Sequence, residues 1–195
     1  MYEYITGRIE TLTPASVVVE AAGVGYFLNI SLQTFSQIGS RTEVKLYAHF
    51  AVREDAQVLY GFFSRAERDI FRSLIGVSGV GGNTARMILS SFTAEEVCTI
   101  VATGQADVLK TVKGLGLKTA QKIIVELRDK IGAGSAAATS VPVQGAAGET
   151  FSEAVVALTM LGFTRQATEK ALRAIQQESP AASVEELVRL ALKRL

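Results

Sequence analysis

Three lysines, Lys113, Lys118 and Lys122, stand around a pair of glycines, Gly114 and Gly116, in the stretch LKTVKGLGLKTAQKIIVELR from Leu109 to Arg128. Lys118 and Lys122 are four apart and share one face of any helix that starts after the glycines. A tight glycine turn leading into a helix aims backbone N–H groups outward at the positive end of the helix dipole, where an anion is favoured. Amides that position a phosphate and cations that displace its counterions are what a sequence-independent grip on a nucleic-acid backbone needs.

The same stretch occurs earlier in the chain. Shifted back by 35 residues it falls on LIGVSGVGGNTARMIL, Leu74 to Leu89, and seven of sixteen positions are identical. The pairs are Leu74/Leu109, Val77/Val112, Gly79/Gly114, Gly81/Gly116, Thr84/Thr119, Ala85/Ala120 and Ile88/Ile123. In each copy an apolar residue ends one helix and two glycines allow a turn that side chains would block. A second helix follows, with a small alanine for close helix packing. One copy alone reads equally well as an ordinary αα-hairpin. Two copies with matched glycines and a lysine cluster favour backbone binding through Gly79, Gly81, Gly82 and Asn83 and through Lys113, Gly114, Gly116, Lys118, Thr119 and Lys122.

Other chemistry is thin. Leu115-Gly116-Leu117-Lys118-Thr119 ends in Lys-Thr but has leucine where a phosphate-wrapping loop needs glycine before the lysine, so no triphosphate site is expected. His49 lies in a strand-like apolar run and reads as a barrel residue; Cys98 lies mid-helix and reads as core. One cysteine and one histidine exclude a Cys/His zinc site and an internal disulfide. No cofactor, metal or catalytic residue is expected.

Of the 195 residues, 48% are hydrophobic and 20% charged, and the formal net charge is +1. The distribution says more than the total. Residues 1–64 carry four basic against six acidic side chains, whereas 110–130 carry six against two. The positive charge therefore sits on the repeat. The start of the chain lacks a signal-peptide pattern and no apolar run is long enough to span a membrane, so a cytoplasmic protein is expected.

Residues 1–62 alternate with period two and are rich in Val, Ile, Tyr and Phe, which predicts strands near 2–9, 15–21, 25–31, 43–52 and 57–62. Turns are expected at Gly23-Val24-Gly25 and Asp55-Ala56-Gln57, with a helical piece over Gln33–Ile38. Five strands and one insert in this length suggest an OB-type barrel, with other small β-barrels in competition. Ser64-Arg65-Ala66-Glu67 reads as a capping box that opens an all-α region, with helices near 65–76, 82–91, 94–103 (capped by Thr93), 105–111 and 117–131. Residues 132–148, GAGSAAATSVPVQGAAG, have no charge and no aromatic side chain and read as a flexible linker. A capping box at Thr150-Phe151-Ser152-Glu153 then opens helices near 151–160, 165–177 and 183–194, a small three-helix bundle tethered to the rest.

In this order the residues resemble a known family. Val52-Arg53-Glu54-Asp55-Ala56-Gln57-Val58-Leu59-Tyr60-Gly61-Phe62, two glycine hairpins, a linker and Ala157-Leu158-Thr159-Met160-Leu161-Gly162-Phe163 are similar to the RuvA family, the Holliday-junction recognition subunits of the bacterial RuvAB(C) branch-migration machinery. The resemblance spans essentially the whole chain. It implies an OB-fold domain (1–64), a tandem helix-hairpin-helix domain (65–131), a linker (132–148) and a UBA-like three-helix domain (149–195). It also implies a homotetramer holding an open, square-planar four-way junction, sometimes between two stacked tetramers, in recombination and in the SOS response to DNA damage. Expected partners are junction DNA, a RuvB-type hexameric ATPase and a RuvC-type resolvase, with ATP turnover belonging to the motor.

The family's acidic pin maps onto Glu54 and Asp55, which from pattern alone are a polar hairpin tip. Its motor-docking contacts map onto Leu158, Leu161, Phe163 and Leu192, where bundle core is the competing reading. One departure stands out: the family typically has Pro-Lys after the second glycine of the first hairpin, and this chain has Gly82-Asn83. The second hairpin is therefore expected to carry more of the phosphate binding. Two other readings remain open on the residues alone: a repair-nuclease subunit, which requires metal-binding carboxylates, and a protein-only adaptor, which leaves the lysines around Gly116 unexplained.

Overall fold

The period-two pattern of the first 62 residues folds as five strands: β1 (Tyr4–Thr13), β2 (Ser16–Ala21), β3 (Val24–Asn29), β4 (Glu43–Val52) and β5 (Gln57–Phe62). The computed structural model describes residues 2–54, 56–138, 146–179 and 182–195. The strands close into a barrel in the order β1-β2-β3-β5-β4, an OB-like arrangement. All neighbours are antiparallel except β3 and β5, which meet in parallel at Asn29 and Tyr60. Inward residues Ile5, Val17, Val19, Leu28, Val44 and Leu46 fill the barrel, and Ile30 and Ile38 close one end. The turn between β2 and β3 lies one residue earlier than expected. Ala21 pairs with Val24, leaving Ala22 (φ +51°) and Gly23 (φ +83°) as a two-residue hairpin loop with the positive φ angles of a type I′ turn.

The short helix α1 (Leu32–Ile38) begins at Ser31, whose hydroxyl accepts from Thr34 N–H. The helical region follows as α2 (Arg65–Ile75), α3 (Gly82–Ser91), α4 (Ala94–Thr103), α5 (Ala106–Leu109) and α6 (Leu117–Ala138). Thr93 and Glu96 form a complete capping box at α4. At α2 only half of the expected box forms. Ser64 accepts from Glu67 N–H, but the Glu67 carboxylate turns away from Ser64 towards the barrel.

Barrel and helices share one compact unit, residues 1–139. Tyr60 and Phe62 leave the barrel to join the helical core with Phe71, Leu74, Ile88, Ile100, Ile123 and Leu127. Polar contacts seal the joint. The Glu67 carboxylate, 4% exposed, accepts from Ser31 Oγ and, at 2.7 Å, from Thr34 Oγ1, while Phe63 N–H donates to Thr34 Oγ1 at 3.2 Å. Arg86 on α3 donates through Nη1 to the Ala15 carbonyl at 2.9 Å, and Leu32 N–H donates to Ser90 Oγ at 3.1 Å. Arg68, 5% exposed, pairs with Glu3 at 2.7 Å.

The second unit contains α7 (Ala146–Met160), α8 (Arg165–Glu178) and α9 (Val184–Ala191) around Ala154, Val155, Leu158, Leu172, Ile175, Leu187 and Ala191. Both helices flanking the expected linker run into it. α6 continues to Ala138 and α7 is already under way at Ala146, so Thr150 lies inside a helix instead of capping one. The cause is local: the alanines at 136–138 and 146–147 are the strongest helix formers, and extending an existing helix needs no new nucleus. Residues 139–145, the middle of the expected linker, lie outside the described residues, as do Asp55 and Pro180.

Glu67 gives the joint a pH signature. Burial pushes its carboxyl above the ordinary value of 4.5 and Glu95 adds to this, against the lowering effect of hydrogen bonds from Ser31, Thr34 and Phe63. A carboxyl with a raised folded pKa contributes stability that is complete below its unfolded pKa and is lost as pH rises through the folded value. Chemical denaturation of the wild type should therefore show stability falling with pH from about the ordinary glutamate range upward. Glu67→Gln should flatten that slope. An identical slope in both proteins would mean that other groups set it.

Candidate nucleic-acid interface

The two glycine hairpins superimpose in their bonding. In the first, Val77 N–H donates to Leu74 O and Val80 N–H to Val77 O, both at 3.0 Å; in the second, Val112 donates to Leu109 and Leu115 to Val112, again at 3.0 Å. The third residue of each turn, Gly79 at φ +90° and Gly114 at φ +85°, is left-handed, the requirement of a type II turn. Val77, Val80, Val112 and Leu115 are all buried. Each turn is therefore pinned by two apolar anchors, while Ser78-Gly79 and Lys113-Gly114 between them face solvent.

The second glycines act differently from the expectation that both glycines serve the turn. Gly81 is the N-cap of α3 at φ −88°, and the Gly116 carbonyl accepts from Ala120 N–H at 2.9 Å to open α6. No side chain caps α3. The first amides of each helix, those of Gly82 and Asn83 and of Leu117 and Lys118, have no intrahelical acceptor and point along the positive end of the dipole. A Cβ on Gly116 would meet nothing within 4 Å, and one on Gly81 only the Arg53 guanidinium, so these glycines keep the approach open. Gly82 has another role. It is buried, and a Cβ there would lie 2.3 Å from the Tyr60 hydroxyl oxygen, so its lack of a side chain lets α3 seat on the barrel.

Lys113 and Lys118 are exposed, and Lys122 is exposed with Glu126 3.9 Å away, one turn further along α6. Thr84 and Thr119 are half-buried in the first turns. Because both hairpins belong to one hydrophobic core, their two sets of amides are held in a fixed relation.

Glu54 is exposed on the tight loop that joins β4 to β5, closed by Arg53 N–H donating to Ala56 O at 2.8 Å. Its expected companion Asp55 is outside the described residues. This loop stands beside the first hairpin. A groove of about 550 Å3 runs between them, with Arg53, Val52 and His49 on the barrel side, Gly81 and Asn83 on the hairpin side, and Phe71 in its lining. His49 is half-buried against the Phe71 ring, centroids 5.4 Å apart, and burial followed by the charges of Arg72 and Arg68 holds its imidazole below the ordinary value. The sequence reading missed this juxtaposition of Arg53 with Gly81, since 28 positions separate them and no local spacing signals the contact.

In the second unit the four expected docking residues divide. Leu158 is fully buried, so it is core and offers no partner surface. Gly162 at φ +99° closes α7 in a Schellman motif, with Phe163 N–H donating to Leu158 O and Gly162 N–H to Thr159 O. That motif normally pairs its C″ and C3 side chains, and half-buried Phe163 packs into the cluster containing Leu158. Leu-x-x-x-Gly-Phe is the signal that assigns both residues inward. Leu161 and Leu192 are exposed, and so are Val156 and Met160, one turn apart on α7, the latter 84% accessible.

Among the described residues no group of three or more His, Cys, Asp and Glu could hold a metal ion, and no helix is long and apolar enough to cross a membrane.

Known proteins match along the whole chain. A family model described as the RuvA N terminal domain matches residues 1–61, a SAM-like helix-hairpin-helix tandem matches 71–129, and the RuvA C-terminal domain matches 150–195. Proteins from Bacteroides fragilis (52% identical over 203 residues), Bacteroides thetaiotaomicron (51% over 201) and Porphyromonas gingivalis (43% over 202) are each aligned over 100% of both chains. All three bear the name Holliday junction branch migration complex subunit RuvA. With two glycine hairpins of matched geometry beside an OB-like barrel, and relatives of this identity over its full length, the chain belongs to the RuvA family.

Proposed function

We propose that the chain binds four-way DNA junctions by their backbones and presents them to an ATP-driven branch-migration motor. The observation that carries this reading is the pair of helix N-termini, α3 and α6, each opened by a glycine with no side chain of its own to cap it, behind a left-handed glycine and fixed in one core. Two such grips at a set separation suit two points along one DNA arm. They read phosphate position and not base identity. Amides of Gly81, Gly82, Asn83, Gly116 and Lys118 position the phosphates, the exposed Gly79 and Gly114 turns let the backbone approach, Thr119 supplies a hydroxyl, and Lys113, Lys118 and Lys122 release counterions.

Glu54 and Asp55 are the pin. Carboxylates at the centre of a phosphate-lined surface repel the strands that cross there and keep them separated. Four copies of the chain around one junction, or two such tetramers face to face, give each arm its own pair of hairpins. The chain itself carries out no catalytic step; a RuvB-type hexameric ATPase turns over ATP, and a RuvC-type resolvase acts on the same junction. The second unit, through the exposed Val156, Met160 and Leu161 and through Leu192, docks the motor, and the assembly works in the cytoplasm.

The test is a titration of a synthetic four-way junction against linear duplex of equal length in low and moderate salt. Wild type should prefer the junction. Lys118→Ala/Lys122→Ala should lower affinity by on the order of tenfold or more and reduce the salt slope by about two per bound chain. Equal affinity for both DNAs would leave a general backbone binder, and no binding would favour a protein adaptor. For the second unit, Met160→Asp and Leu161→Asp should reduce capture of a purified RuvB-type motor without lowering the melting temperature or junction affinity. Unchanged capture would move the docking surface elsewhere.

A further inference from the structure

The two hairpins are unequal in charge. At the positions of Lys113, Lys118 and Lys122 the first copy has Ser78, Asn83 and Met87, so it brings uncapped amides and no cation there; its one basic side chain, Arg86, is turned to the Ala15 carbonyl. The barrel brings one to the same place. Arg53 Nη2 lies 3.9 Å from where a Cβ on Gly81 would be, at the open N-terminus of α3. Arg53 is exposed, and among the described residues no carboxylate pairs with its guanidinium. Neither backbone conformation nor packing requires glycine at 81, since its φ is −88° and no other atom stands within 4 Å of that Cβ position. What the missing side chain leaves is open room in the groove between the β4–β5 loop and α3.

We propose that Arg53 is the cation of the first grip, holding one DNA backbone phosphate in this groove together with the amides of Gly82 and Asn83. The guanidinium fork reaches two phosphate oxygens while the amides take a third. The register of the two halves is fixed by the joint. Gly82 seats on Tyr60 and Arg86 holds the Ala15 carbonyl, so the loop bearing Arg53 and the start of α3 keep their separation. The first grip is thus made by two domains, the second by one helix and its own lysines. The inference rests on the junction-binding reading above and adds a residue to it.

Junction binding by the full chain across a salt series, with wild type, Arg53→Gln, Asn83→Lys and the double variant, tests it. Arg53 is exposed, so folding should be unaffected, and circular dichroism and melting temperature check this. Arg53→Gln should weaken binding by on the order of tenfold and reduce the salt slope by about one per bound chain. Asn83→Lys should restore most of that loss in the Arg53→Gln background yet add little to wild type, because the phosphate there is already neutralised. Wild-type affinity in Arg53→Gln, or an equal gain from Asn83→Lys in both backgrounds, would overturn the assignment. If Lys118→Ala/Lys122→Ala weakens binding while Arg53→Gln does not, only this inference falls; if wild type ignores the junction, the underlying reading falls first.

Discussion

A left-handed glycine between two buried apolar residues is the constraint on which the rest depends. At Gly79 and Gly114 the chain must reverse within four residues while keeping the flanking Val77 and Val80, or Val112 and Leu115, inside the core. A β-carbon at that φ costs about 1–2 kcal/mol, and the anchors prevent the turn from relaxing to avoid it. The result is a rigid projection of amides that belongs to the backbone. Side chains then adjust charge around a fixed cradle, which is why the repeat matches at core and turn positions and differs at the cations.

The barrel and the helices are bound by unlike forces at different depths. Deep in the joint, Tyr60 and Phe62 each pack tilted against Phe71 with ring centroids 4.8 Å apart. Around them lie polar contacts, with Glu67 the most demanding because, among the described residues, no cation pairs with it. Burying a carboxylate on neutral hydrogen-bond donors adds little net stability but fixes orientation strictly, since any displacement leaves a charge unpaired. For a protein that sets a loop from one domain beside a turn from another, that orientation is worth more than additional burial.

Periodicity exposed most of the architecture. Strands β4 and β5 and helices α3 and α4 lie where alternation and capping put them, because each carries its own signal. The misreadings came where a neighbour overrode the local pattern. Glu67 has the spacing of a capping box but finds two buried hydroxyls from α1; Thr150 has the same spacing but follows alanines that had already begun the helix. Leu158 and Phe163, open between docking contact and bundle core on the residues alone, are turned inward by the Schellman closure at Gly162. The lysine cluster at the second hairpin was legible because it is contiguous. Its counterpart at the first is not, since Arg53 arrives from a different domain.

The shared core has one more consequence. Tyr60 and Phe62 belong by sequence to the last barrel strand, yet they are buried among helical residues and not in the barrel's own interior. Strand β5 thus gives its bulkiest side chains to the neighbouring layer. Removing the helices would leave two large aromatic faces uncovered on a sheet that closes through only one parallel pair at Asn29 and Tyr60. The change from strand to helix at Ser64 marks a change of secondary structure but no seam at which the polypeptide could be divided. Up to the end of α6 the chain is built to gain or lose its order as one cooperative block, and a fault in either layer is felt by both.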